Sequence, residues 1–436
     1  MTPAARLAAA IDILDDIAAR RRPAAQALKD WGVAHRFAGS KDRSAIASLV
    51  WDALRVKASA AWLMGCAPGQ ETARAIMLGA LVRARGLDVE AVAALCSGER
   101  HAPAPLTEEE RARLAAADLS GAPPHVLGDY PQWLEGQLLE VWGDRAAEEG
   151  RALAQRAPVD LRVNLLAGDR DKALAALAHL NPQPTRFSPF GLRIAVGAEG
   201  RAPALSAEPA YAKGLVEVQD EGSQLASLLT GAEPGWQVLD LCAGGGGKTL
   251  ALAAMMDNKG QIYAADKDGR RLMPIFDRLE RAGARNVQVR APRGAQDVLA
   301  DLEGRCDLVL VDAPCTGSGT WRRNPDAKWR MRPGALEQRQ REQDETLAQA
   351  ARFVKPGGRI AYVTCSALIA ENEARVNAFL AAHGDFLPLD MGHAARKAGV
   401  PDLAEFASPH GPGLRLSPAS AGTDGFYVAL LSRTQA

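Results

Sequence analysis

A chain of 436 residues, 47% hydrophobic and 24% charged, has room for two or three folded domains and an ordinary globular composition. Its 52 basic and 52 acidic residues cancel, so net charge lends nothing to nucleic-acid binding, and any such surface is local, as at Arg20–Arg22 or between Trp321 and Arg332. There is no signal-peptide pattern and no run near the roughly 20 apolar residues of a membrane span, so a cytoplasmic protein is expected. The six cysteines lack Cys-x-x-Cys spacing and are expected as free thiols, and the seven histidines form no metal-ligand pattern.

The first hundred residues carry helical periodicity. Leu7, Ile11, Leu14 and Ile17 fall on one face, as do Ile46, Leu49, Val50 and Leu54. A helical bundle is expected there. Residues 101–124 are rich in Pro, Ala and Glu, which reads as a linker around one short acidic helix. Helices are then expected over Pro131–Trp142 and Arg145–Arg156. A strand at Leu161–Asn164, a helix at Asp171–Leu180 and strands near Leu192–Ile194 and Leu215–Val218 follow, as a small α/β module.

From about Pro234 strands and helices alternate. Gln237–Leu241, Gln261–Ala265, Val287–Arg290, Cys306–Val311 and Arg359–Val363 read as strands, and Phe426–Leu431 as a last one. That alternation predicts a doubly wound, largely parallel sheet. The domain division expected is 1–124, 125–232 and 233–436.

Three phrases directly follow strand-like runs in this last segment. Cys242-Ala243-Gly244-Gly245-Gly246-Gly247-Lys248 is a glycine-rich turn. Asp312-Ala313-Pro314-Cys315 and Thr364-Cys365-Ser366 carry the two thiols. Ligands of open α/β sheets gather at the carboxyl ends of strands, so the three should converge on one crevice. The glycine turn alone is weak evidence, since an ordinary strand-to-helix turn would explain it. A P-loop needs glycine where Cys242 stands, and a Gly-x-Gly-x-x-Gly fingerprint does not fit four adjacent glycines. The third reading is S-adenosylmethionine, with Asp266 at the end of the second strand as the acid for its ribose hydroxyls. A helix N-cap is the plainer role for Asp266. Each cysteine alone could be a small buried hydrophobe, but two in such phrases point to covalent chemistry.

On these motifs residues 234–436 resemble the catalytic domain of the NOP/Sun (RsmB-like) RNA cytosine-5 methyltransferases. Residues 1–100, with Arg36-Phe37 and Lys41-Asp42-Arg43, resemble the NusB-like RNA-binding domain of bacterial members. Pro158–Leu165 resembles the family's middle module. The resemblance implies a Rossmann-like class I methyltransferase sheet preceded by an all-α NusB-like domain and a small α/β module. It implies S-adenosylmethionine as cofactor, held by Cys242, Ala243, Gly244, Gly245, Gly246, Gly247, Lys248, Asp266 and Asp312. It makes Cys365 the nucleophile that attacks carbon 6 of cytosine, Cys315 the thiol that assists release, and Asp312 the group that meets the base. For that role the Asp312 carboxyl is expected to be at least transiently protonated, as burial would favour.

Ribosomal RNA is the expected partner, with transfer RNA the alternative; a monomer without metal or membrane attachment is expected. The target base must leave its stack, and Trp321–Asp326 is placed to hold RNA backbone or stack on a base. The rival enzyme class, amino-group methylation, usually has an aromatic where Cys315 stands. A non-enzymatic assembly factor could have lost a cysteine; both are present. The chain departs from the family in two places. Its cofactor loop lacks the usual proline, and Arg290-Ala291-Pro292-Arg293 replaces the acid expected near the adenine, with Asp297 arriving late.

Overall fold

The computed structural model describes residues 1–196 and 203–435. The chain forms two compact units: residues 1–156 with 321–332, and residues 157–320 with 333–436.

The first unit is helical. Helices at Pro3–Arg20, Ala24–Ala34, Ser40–Arg55, Lys57–Leu63, Ala73–Arg85 and Val89–Leu95 make its N-terminal part. Their apolar stripes bury Leu7, Leu14 and Ile17 from the first helix and Ile46, Leu49, Val50 and Leu54 from the third. Ile11 is only partly buried, and Ile13 lies inside. The acidic helix expected in the Pro-rich stretch is Glu108–Ala115, opened by a capping box in which Thr107 and Glu110 satisfy each other's backbone N–H groups. The helices Glu135–Trp142 and Ala146–Ala154 also belong to this unit.

At Thr320 the chain leaves the second unit, contributes Trp321–Arg332 to the first, and returns at Pro333. Trp321 is 1% exposed and Arg322 5%. The Lys328 ammonium donates to the Arg55 carbonyl at 3.0 Å and the Asp129 carbonyl at 2.5 Å, and Trp329 Nε1 donates to Leu54 O at 2.7 Å. The role expected of Trp321–Asp326 is therefore corrected for Trp321 and Arg322, which are enclosed, while Arg323 is half-buried and Asn324 exposed. Tertiary packing overrides an arginine-rich, surface-like composition, and Trp321 has no free face on which a base could stack.

The second unit holds two sheets. The smaller has strands β1 (Val159–Val163), β2 (Gln183–Pro184), β3 (Gly191–Ile194) and β4 (Val216–Val218) in the order β2-β3-β1-β4, all antiparallel. The larger has β5 (Gln237–Asp240), β6 (Gln261–Ala265), β7 (Val287–Arg290), β8 (Cys306–Asp312), β9 (Val354–Thr364), β10 (Phe386–Pro388), β11 (Leu414–Leu416) and β12 (Phe426–Arg433). Its order is β10-β12-β9-β8-β5-β6-β7, with β11 on β12. The pairs from β7 to β9 are parallel and those of β12 antiparallel. This is a Rossmann-like α/β sheet.

The central strands are apolar on both faces because helices cover both. Side chains alternate between two cores: Val238, Leu308, Leu310, Ala361 and Val363 face one, and Leu239, Val309, Val311, Ile360 and Tyr362 face the other. From β5 the order runs to β6 and β7 on one side and to β8 and β9 on the other. That reversal is the topological switch point where such sheets hold ligands.

Candidate active site

The turn after β5 lies at the switch point. Ala243 N donates to Ala265 O at 2.8 Å and Gly246 N to Ala243 O at 2.8 Å, which folds the turn back against the end of β6. Gly246 sits at φ 82° as N-cap of the Gly247–Met255 helix, and a Cβ there would lie 2.4 Å from Ile275 Cγ1. Only glycine combines that backbone with that contact.

Asp266, directly after β6, has a side chain only 1% exposed. Its Oδ2 accepts from Gly244 N at 3.1 Å and pairs with Arg271 at 3.1 Å, and its Oδ1 accepts from Asp268 N at 3.0 Å. The helix N-cap in this turn is Asp268, so Asp266 is not spent on capping. A cavity of about 230 Å³ opens beside it, lined by Cys242, Asp266, Pro292, Val298, Leu299 and Pro314 among others. Apolar Val298, Leu299 and Pro314 and polar Lys267, Arg271, Arg290 and Gln349 share its lining, so the buried carboxylate offers an acceptor for ribose hydroxyls and the apolar side chains a surface for a base. Asp297 lines the same cavity, but its carboxylate caps Leu299 N and pairs with Arg352.

Lys248 points from the first turn of the following helix. It is 7% exposed, lies 5.3 Å from the centroid of the Phe426 ring, and pairs with Asp312 Oδ2 at 2.7 Å. Burial alone would weaken its hold on a proton, but Asp312, Cys365 and Asp240 outweigh burial and the net shift is upward. The burial that would favour a protonated Asp312 is not found. Its side chain is 34% exposed and ion-paired, because β8 ends there and the side chain meets the lysine rather than a dry pocket.

The two thiols meet. Cys315 Sγ and Cys365 Sγ are 3.4 Å apart although the residues are 50 positions apart in sequence. β8 and β9 are parallel neighbours, so the loops leaving their ends lie side by side. Backbone holds them in register: Gly319 N donates to Cys365 O at 2.9 Å, and Gly319 approaches Gly425 so closely that a Cβ would meet its carbonyl at 2.2 Å. Cys315 holds its proton well above the ordinary thiol range, first through its hydrogen bond with Cys365, then through burial and the negative charges of Cys365 and Glu371. Cys242 is pushed up as well, by burial and then by Asp240, Asp312 and Asp266, which makes it a neutral wall of the cavity rather than a nucleophile.

A model of the RsmB/F 16S rRNA methyltransferases matches residues 227–432, and a model of the family's ferredoxin-like domain matches residues 130–199. The probable ribosomal RNA small subunit methyltransferase B of Synechocystis sp. is 32% identical over 314 residues, covering 70% of this chain and 67% of the relative. This chain belongs to the RsmB/F methyltransferase family. The ribosomal RNA small subunit methyltransferase B of Sodalis glossinidius is 35% identical over 312 residues, 70% of this chain and 66% of that relative. The chain thus spans about two thirds of the length of these relatives. Among solved structures, a methyltransferase homolog protein from Pyrococcus horikoshii aligns with a TM-score of 0.59 at 25% identity, covering 72% of this chain and 99% of that one. The family is S-adenosylmethionine-dependent.

Two residues at this RsmB/F site escape a reading of the sequence. Asp240 ends β5 with 1% exposure; Thr249 Oγ1 donates to its Oδ2 at 2.7 Å and its Oδ1 has no hydrogen-bond partner. Burial, opposed by the Thr249 hydrogen bond and helped by Asp312, pushes its pKa from 3.8 up to about 7. Its strand-end position was the available signal. A carboxyl held protonated in the fold stabilises it at acid pH, and that stabilisation disappears as pH rises through the folded-state value. Considering Asp240 alone, stability of the free enzyme should fall between about pH 4 and about 7. Urea unfolding should therefore show wild type losing more stability over this range than Asp240→Asn; equal losses would contradict the assignment. The second residue is Glu371, treated below.

Proposed function

We propose that this enzyme transfers a methyl group from S-adenosylmethionine to carbon 5 of a cytosine in RNA, through a covalent bond between carbon 6 and Cys365. What carries the reading is the pair of thiols at 3.4 Å beside the Lys248–Asp312 pair, at the switch point of a methyltransferase sheet. Carbon 5 of cytosine is a poor nucleophile. Addition of the Cys365 thiolate to carbon 6 makes it enamine-like, with the ring nitrogen taking a proton and Asp312 hydrogen-bonded to the base. When bound, S-adenosylmethionine supplies an electrophilic methyl on its sulfonium. Carbon 5 takes that methyl, its proton then passes to water acting as base, and the carbon–sulfur electron pair returns to the Cys365 sulfur, whose departure the Cys315 thiol assists. Small-subunit ribosomal RNA is the proposed substrate, because the relatives are named for it.

The test is incubation of the purified protein with small-subunit ribosomal RNA and methyl-labelled cofactor, followed by digestion to nucleosides. Label in 5-methylcytidine is expected. Label in N4-methylcytidine, or in transfer RNA only, would overturn the reaction or the substrate respectively.

Asp266 is proposed to hold the ribose hydroxyls. Asp266→Ala should weaken cofactor binding by about 1–3 kcal/mol, the cost of a charge-assisted hydrogen bond. Calorimetry on a folded variant checks this, and unchanged affinity would remove Asp266 from the site.

The helical segment 1–124 is proposed to dock RNA, followed by a middle module over 125–232 and a catalytic segment over 233–436. Phe37 is 73% exposed, with exposed Arg36 and Lys41 nearby in sequence. Arg36→Ala and Lys41→Ala should each weaken RNA binding at low salt and reduce the slope of log affinity against log salt by about one. Titrations between about 50 and 200 mM salt would show this. Parallel lines for wild type and variants would exclude these side chains from the docking surface.

A further inference from the structure

Glu371 lies in the short 3₁₀ turn Ile369–Glu371, six residues past Cys365, and is fully buried. Its Oε1 accepts from Thr316 N at 2.8 Å and from Gln343 Nε2 at 3.1 Å. Its Oε2 accepts from Thr316 Oγ1 at 2.5 Å and from Ser366 Oγ at 2.5 Å. Thr316 directly follows Cys315, and Ser366 directly follows Cys365. One carboxylate therefore ties together the two loops that carry the thiols. Gln343 closes the figure by also donating to Pro314 O at 2.9 Å.

The neighbouring Asn372 fixes the second loop from the other side. Its Nδ2 donates to Ser366 O at 2.9 Å and its Oδ1 accepts from Thr364 Oγ1 at 2.5 Å. Every hydrogen-bond donor to Glu371 in this set is neutral. The negative charge is dispersed over four hydrogen bonds and cancelled by none of them, so it acts on whatever titrates next to it. Two of the four bonds come from Thr316, which follows Cys315, and one from Ser366, so the charge lies against the Cys315 loop and helps to hold the Cys315 thiol proton.

We propose that Glu371 is a positioning residue of the two-thiol reaction, one that locks the Cys315 loop to the Cys365 loop and sets its carboxylate against the Cys315 loop. The division of labour between two chemically identical thiols then has a structural cause. A negative charge beside the Cys315 loop makes a second negative charge there costly, so Cys365 is the sulfur left free to attack. The inference rests on the cysteine chemistry proposed above, but its test does not need that chemistry to occur.

The free enzyme is treated with iodoacetamide across a pH series, and carboxamidomethylation of each cysteine is read by mass spectrometry. Wild type should modify Cys365 well before Cys315. Glu371→Gln keeps the side chain's shape and removes its charge. In that variant Cys315 should react at lower pH, and the selectivity for Cys365 should fall by about tenfold, the equivalent of one unit of proton affinity. Cofactor affinity, measured by calorimetry, should stay unchanged and certify the fold. Glu371→Ala additionally frees the loops and should abolish the selectivity; if it does not fold, Glu371→Gln still decides. A Glu371→Gln enzyme with native cofactor affinity and the wild-type pH profile at both cysteines would overturn the proposal. The adduct experiments described below test the base chemistry separately, so either idea can fail alone.

Discussion

Mixed with substrate RNA and cofactor, Cys315→Ala should accumulate a covalent protein–RNA complex that survives a denaturing gel, whereas Cys365→Ala should form none. The two sulfurs are in contact, so proximity to the base cannot by itself separate their roles. Their surroundings can. Cys315 is held as a thiol by its bond to Cys365, by burial and by nearby negative charge, which suits a group that handles protons during release. Removing it leaves attack and methyl transfer possible and strands the product on Cys365. Removing Cys365 leaves no sulfur to attack. An adduct in Cys365→Ala and none in Cys315→Ala would reverse the assignment. Methylation intact in both would remove covalent catalysis from the account.

Asp312→Asn should lower the methylation rate by about 10²–10⁴-fold, the range for losing a positioned acid–base group. It should also cost stability, because it leaves the buried Lys248 ammonium without its counter-charge. The full cost of breaking a buried pair is about 3–5 kcal/mol, but a third of Asp312 faces solvent, and about 1–3 kcal/mol is expected. The double variant Asp312→Asn/Lys248→Met separates the two effects. Its urea midpoint should recover towards wild type, since no unpaired charge remains, while its rate should stay low. Recovery of the rate in the double variant would mean that Asp312 serves only to neutralise Lys248.

The catalytic sheet is legible in the sequence because its central strands are buried on both faces. Leu308–Val311 and Ile360–Val363 read as strands without any context, and the structure places them in neighbouring positions. The strands β10 and β11 escape such a reading. Each is only three residues long and is made by antiparallel pairing to β12. Periodicity puts Ile11 on the core face, where it packs half-buried, but passes over Ile13, which the bundle buries fully.

At the site, strand-end position finds Cys242, Asp266, Asp312, Cys315 and Cys365, because the topology of the fold itself gathers them. It gives no view of burial. Asp312, whose expected protonation burial would favour, is ion-paired at a partly open edge. Trp321 and Arg322 read as surface and are enclosed. Glu371 is invisible for a different reason. In Glu371-Asn372-Glu373 it resembles the acidic start of a helix, and only the third dimension shows both of its oxygens on the thiol loops.

Bisulfite sequencing of total RNA from cells with and without the gene tests the central claim most directly. The account predicts one or more cytosines of small-subunit ribosomal RNA that resist conversion when the gene is present and convert fully when it is deleted, with resistance restored by wild type but not by Cys365→Ala. An identical conversion pattern in ribosomal RNA from both strains, with the protein shown to be expressed, would contradict it.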